Sequence, residues 1–196
     1  MDKSPGVLKP NVWKDFLTLK NEKDIFLDGE HYLSILFKWM KDNSYRFNRE
    51  LLEKYRIDTI LELNNIVDYL GCDADMYLDR EIERVFKNMP KTEELFLMRI
   101  GDTLWDLVRK RSGKDCPRCS SDELNYVLAK TEKECKIVLK CDICGWTEHL
   151  DGTRWREGTT RLYPIGNEEM KKLVEQGGKR QDTDNEFLTH SIITKG

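Results

Sequence analysis

The sequence predicts an α+β protein: an all-helical N-terminal domain, a small four-cysteine β subdomain and a short C-terminal helix. Three observations carry this prediction. Apolar residues recur at helical spacing through the first 112 residues. At "SGKD" (112–115) that periodicity stops, and short β-prone runs bounded by turn residues follow. Two Cys-x-x-Cys pairs, Cys116/Cys119 and Cys141/Cys144, flank an interval of hairpin length. The expected organisation is a helical domain over 1–112, the cysteine subdomain over 113–165, a helix within 166–180 and a flexible tail over 181–196.

The helices follow in order. "PNVWKDFLTLKN" offers Asn11 as a cap and Val12, Trp13, Phe16, Leu17 and Leu19 as an apolar face. "GEHYLSILFKWMKDN" is apolar nearly all round, which predicts a central, mostly buried helix. "FNRELLEKY" is a short helix capped by Asn48. "DTILELNNIVDYLG" reads as one helix from Asp58 to the stop at Gly71. "DADMYLDREIERVFKNMP" places Leu78, Ile82, Val85, Phe86 and Met89 on one stripe, with Pro90 at its end. The acids here (Asp73, Asp75, Asp79, Glu81 and Glu83) are expected as a cap and a solvated face. "TEELFLMRIGDTLWDLVRKR" starts at Thr92 and ends in Arg109, Lys110 and Arg111, which suit the helix dipole. Gly101 inside it costs about 1 kcal/mol relative to alanine and puts the helix's continuity in question.

After 115, "LNYVLAK" and "CKIVLK" predict two strands joined by a turn at "TEKE", and "WTEHL" a third. "NEEMKKLVEQGG" predicts the last helix, capped by Asn167 and ended by Gly177 and Gly178.

Two Cys-x-x-Cys turns separated by 21 residues supply four thiolates to one tetrahedral ion when the hairpin brings them together. Gly145, directly after the second pair, suits a tight knuckle, and Pro117 shapes the first. "CPRC" and "CDIC" in this setting resemble the zinc-ribbon superfamily over residues 114–163, with Ser120 standing where the second knuckle has its glycine. That resemblance implies a fold and one structural Zn2+ held by Cys116, Cys119, Cys141 and Cys144. An iron centre of rubredoxin-like geometry and a metal-free fold remain the alternatives. Four thiolates leave no open position for water, so Lewis-acid catalysis is not expected. His149 is read as lying beside the site rather than in it. Cys135 is expected in the packed face of its strand, and Cys72 in core packing between helices.

Other patterns in the chain fit less well. A helix-turn-helix reading of 62–87 conflicts with the acids of its second helix, which phosphates would repel. The same stretch fails the EF-hand pattern, with Tyr77, Leu78 and Arg84 at positions that require an oxygen ligand, glycine and glutamate. The chain contains no Gly-rich phosphate loop, nucleophile elbow or HExxH motif.

Net charge is −3, and residues 113–165 carry nine positive and nine negative side chains, which argues against non-specific nucleic-acid binding. No apolar window approaches a membrane span. The N-terminus lacks a secretory signal pattern, so a cytoplasmic location with reduced thiols is expected. The candidate partner surface is Trp146, Arg154, Trp155, Arg156 and Arg161 in the ribbon, together with Asp75, Asp79 and Glu83 on the acidic helix. Those features predict a binding or regulatory protein that docks on another protein, such as an immunity, antitoxin-like or inhibitor protein. A nucleic-acid-associated or transcription-related factor is the first alternative, and an enzyme with dispersed catalytic residues the second.

Overall fold

The computed structural model describes residues 6–22, 27–71, 74–132, 134–156 and 161–175. Cys72, Asp73, the end of the expected last helix (176–180) and the expected flexible tail lie outside the described residues. The chain forms two units that divide between Val108 and Arg109. No described helix is long and apolar enough to cross a membrane.

Among the described residues the first unit is built of helices, with one isolated β-bridge between Val7 and Thr92. α1 (Pro10–Leu17) opens on its proline, whose missing N–H would be unpaired there anyway. Asn11 therefore lies inside the helix and does not cap it; Lys9 takes the cap position without a side-chain bond. Phe16 is fully buried at the centre of an aromatic cluster, 4.8 Å from Trp39, 4.9 Å from Phe86 and 5.1 Å from Phe96 by ring centroids. α2 (Gly29–Asn43) matches the expected segment and buries Tyr32, Leu33, Leu36, Phe37, Trp39 and Met40. Its cap is Asp28, which accepts the His31 N–H at 2.8 Å. A Cβ on Gly29 would stand 2.8 Å from Ala74 Cβ, so a side chain there would clash.

α3 (Arg49–Lys54) is capped by Asn48 as expected, through the Glu50 N–H. α4 (Ile57–Leu61) is shorter than the sequence predicts. The helix expected from Asp58 to Gly71 ends at Leu61, ahead of Asn64 and Asn65, both weak helix formers, and Asn65 is extended. A 3-10 turn over Ile66–Tyr69 follows. α5 (Leu78–Phe86) buries Leu78, Val85 and Phe86 as predicted, whereas Met89 lies past its end and is exposed.

Glu81 departs from the solvated acidic face. It is fully buried. It falls on the Leu78–Val85 stripe, three residues from one and four from the other, so the helical period points it inward. It accepts from Arg80 Nε at 3.0 Å and Thr103 Oγ1 at 2.9 Å, and it forms an ion pair with Arg84 Nη1 at 2.9 Å.

α6 (Glu93–Leu107) is capped by Thr92 and runs unbroken through Gly101. A Cβ at Gly101 would lie 3.0 Å from the Tyr55 carbonyl, so close packing explains the glycine. The helix stops at Leu107, and Arg109, Lys110 and Arg111 do not form its last turn.

Among its described residues, the second unit is an antiparallel sheet with one helix. Its strands are β1 (Arg111–Asp115), β2 (Glu123–Lys130), β3 (Cys135–Lys140), β4 (Thr147–Glu148) and β5 (Arg161–Pro164), followed by α7 (Asn167–Glu175). β1 takes in the "SGKD" stretch, where the sequence places the boundary between the helical and β-rich parts. The order is β1-β2-β3-β4, with β5 also on β2. The β2–β3 hairpin closes with Lys130 opposite Cys135.

Cys135 is exposed, not packed as expected. It sits directly after the hairpin turn, ahead of the part of β3 where Val138 and Leu139 are both buried. Chain geometry at a hairpin end, rather than strand alternation, sets its environment.

Candidate metal centre

Both knuckles turn in the same way. After β1, the Ser120 N–H bonds the Cys116 carbonyl at 2.9 Å, and after β3, the Gly145 N–H bonds the Cys141 carbonyl at 3.0 Å. The residue after each second cysteine is left-handed, Ser120 at φ 50° and Gly145 at φ 72°. Glycine takes that conformation without a Cβ penalty, whereas serine does not. Asp142 anchors the second knuckle by accepting from Asn125 Nδ2 at 2.9 Å and Lys140 Nζ at 2.8 Å.

Cys116, Cys119, Cys141 and Cys144 converge, with all four sulfurs within 4.8 Å of one another. Across the knuckles, the Cys116 and Cys144 sulfurs are 3.5 Å apart, and those of Cys119 and Cys141 are 3.7 Å apart. Zinc–sulfur bonds of about 2.3 Å put the corners of a tetrahedron roughly 3.8 Å apart, so the spacing fits such an ion. Cys116 and Cys141 are buried with Leu124 and Leu139, and Cys119, Cys144, Tyr126 and Trp146 pack around them.

Burial disfavours the thiolate. It pushes Cys141 up to about 12, and Cys144 moves up for the same reason. Burial acts in that direction at Cys116 too, but the N–H groups of Cys119 and Arg118 outweigh it, with the adjacent thiols, and bring that thiol down to about 7. These opposed thiols in an apolar pocket are a donor set whose full ionisation needs a cation at its centre.

The other expected site residues fall in several places. Trp146 is half-buried against the cysteines, with the Arg154 guanidinium 5.0 Å above its ring. Trp155 is buried, 4.8 Å from the His149 ring, so it serves packing rather than an open surface. Its Nε1 has no hydrogen-bond partner among the described residues. Arg156 and Arg161 are exposed, and Arg161 lies 5.7 Å over the Tyr163 ring. His149 is outside the sulfur cluster.

In the helical unit, Asp75 accepts the Gly29 N–H at 2.5 Å and so tethers the start of α2. Asp79 is exposed, and Glu83 is exposed and paired with Lys87, which holds its carboxyl below the usual range.

Sequence reasoning missed Glu148 and Lys114. Glu148 is buried, with its carboxylate between Lys114 Nζ at 2.6 Å and Trp146 Nε1 at 2.8 Å. The signal was present in "WTEHL": strand period two puts Glu148 on the face of Trp146. No family model, curated protein or solved structure matches this chain.

Proposed function

We propose that the chain is a cytoplasmic zinc-containing binding or regulatory protein that acts through protein–protein contacts. Cys116, Cys119, Cys141 and Cys144 hold one structural Zn2+ in this reading. The observation that carries it is the convergence of four sulfurs from two knuckles at tetrahedral spacing. Four thiolates fill the shell, which makes the ion a clamp on the sheet rather than a Lewis acid. Soft thiolates suit zinc, and ferrous iron in the same geometry is the competing occupant.

The ribbon's charge supports a protein partner. Nine positive and nine negative side chains over 113–165 give little attraction to phosphate. The knuckles present Ile143, 67 % exposed, and the exposed Arg118, which donates to the Cys144 carbonyl, and apolar and arginine side chains of this kind are common at protein interfaces. Within that class, an immunity, antitoxin-like or inhibitor role is the narrower form of the proposal.

Metal analysis of the purified chain tests the first half. About one equivalent of zinc, lost together with ribbon structure on chelation, is the expected result; iron or no metal refutes it. Affinity capture with partner identification, repeated with Ile143→Asp, tests the second. Salt-sensitive binding to DNA or RNA that is lost when Arg154, Arg156 and Arg161 are replaced would favour the nucleic-acid reading instead.

A further inference from the structure

Glu148 is 1 % exposed, and a buried carboxylate is costly unless both oxygens are satisfied. Here both are, by Lys114 Nζ on β1 and by the Trp146 indole N–H. The indole leads to the cysteines. The Trp146 carbonyl accepts the Cys141 N–H at 2.8 Å, and Trp146 packs with Cys144 against the cluster that holds Cys116 and Cys141. Trp146 is thus hydrogen-bonded to the second knuckle through Cys141, and its indole N–H is fixed by Glu148.

Resting on the zinc reading above, we infer that Glu148 is a positioning residue for the metal centre, locking Trp146 so that Cys141 and Cys144 stay in metal-binding geometry. Lys114 supplies the charge that allows the carboxylate to remain buried. Groups that orient metal ligands typically change metal affinity by about 10–100-fold when replaced.

The test is a cobalt titration of the full chain, followed by zinc competition, for wild type, E148A, E148Q and W146F. Cobalt reports tetrathiolate geometry in its visible bands. E148A and W146F are expected to weaken metal binding by about tenfold or more and to shift those bands. E148Q, whose amide oxygen still accepts from the indole, should restore the wild-type bands. The double variant E148A/W146F should bind no more weakly than the weaker single variant, because both remove one link. Wild-type affinity and bands in E148A or in W146F overturn the assignment while leaving the zinc reading intact. If E148A does not fold, W146F against E148Q decides by the same readouts. A wild-type chain that gives no tetrathiolate spectrum overturns the zinc reading and this assignment together.

Discussion

Lys114 Nζ on β1 lies 2.6 Å from Glu148 Oε1 on β4, although β2 and β3 run between those strands in the sheet. Strands spaced about 4.8 Å apart would separate β1 and β4 by roughly 14 Å in a flat sheet. A lysine and a glutamate together do not span that distance. The sheet therefore curls, and the ion pair closes over its face beside the cysteines. The first knuckle leads into β2 and the second leaves β3, so the pairing of those strands, with Asn125 opposite Lys140, sets the two sulfur pairs side by side next to Trp146, this ion pair's partner.

Metal uptake should strengthen as pH rises. Burial holds the Cys141 thiol near 12 and the Cys144 thiol above its usual range, so both carry protons at neutral pH. A thiolate-binding ion must displace those protons, and fewer have to be displaced at higher pH. Zinc competition between pH 6 and 8, with proton release followed by an indicator dye, should show tighter binding at the alkaline end. A flat profile would contradict the ligand set.

The knuckles predict a reciprocal pair of substitutions. Ser120 holds a left-handed φ of 50° that costs an L-residue about 1 kcal/mol. Ser120→Gly should stabilise the ribbon by nearly that amount. Gly145→Ala, at φ 72°, should destabilise it by a similar amount. Shifts in the urea midpoint of the metal-bound protein measure both.

Glu81 should matter far more to stability than its acidic neighbours. Removing one member of a buried ionic network leaves charge uncompensated, at a cost of about 3 kcal/mol. Glu81→Ala should therefore lower the denaturant midpoint strongly. Asp79→Ala, at an exposed position, should change stability by less than about 0.5 kcal/mol. Equal effects would mean that Glu81 is solvated after all.

Asp28 gives a pH-dependent helix cap. The His31 N–H first, and the His31 side chain next, hold its carboxyl below the usual 3.8. A carboxyl whose value is depressed on folding stabilises the fold above the unfolded value, and the contribution fades as pH falls through the folded one. Asp28→Ala should cost about 1 kcal/mol at neutral pH. The variant and wild type should converge in stability well below pH 3.8, as followed by thermal melts across an acid series.

The sequence by itself determined the fold class, the two knuckles, the central helix and the hairpin. Those features rest on local rules: 3.6-residue and two-residue periodicities, capping by Asn48 and Thr92, and the spacing of Cys116, Cys119, Cys141 and Cys144. Tertiary structure decided what depends on neighbours distant in the chain. Glu81 looks like one more surface acid until Thr103, 22 residues away, meets it in the core. Gly101 looks like a helix weakness until the Tyr55 carbonyl fills the space beside it. Glu148 looks like a strand polar residue until the curl of the sheet delivers Lys114. Trp155 and Cys135 exchange their expected places, buried and exposed, because sheet edges and hairpin ends set burial there. Periodicity reports which side of an element faces inward, but only packing fixes which partner waits on that side and whether a charge buried there is satisfied.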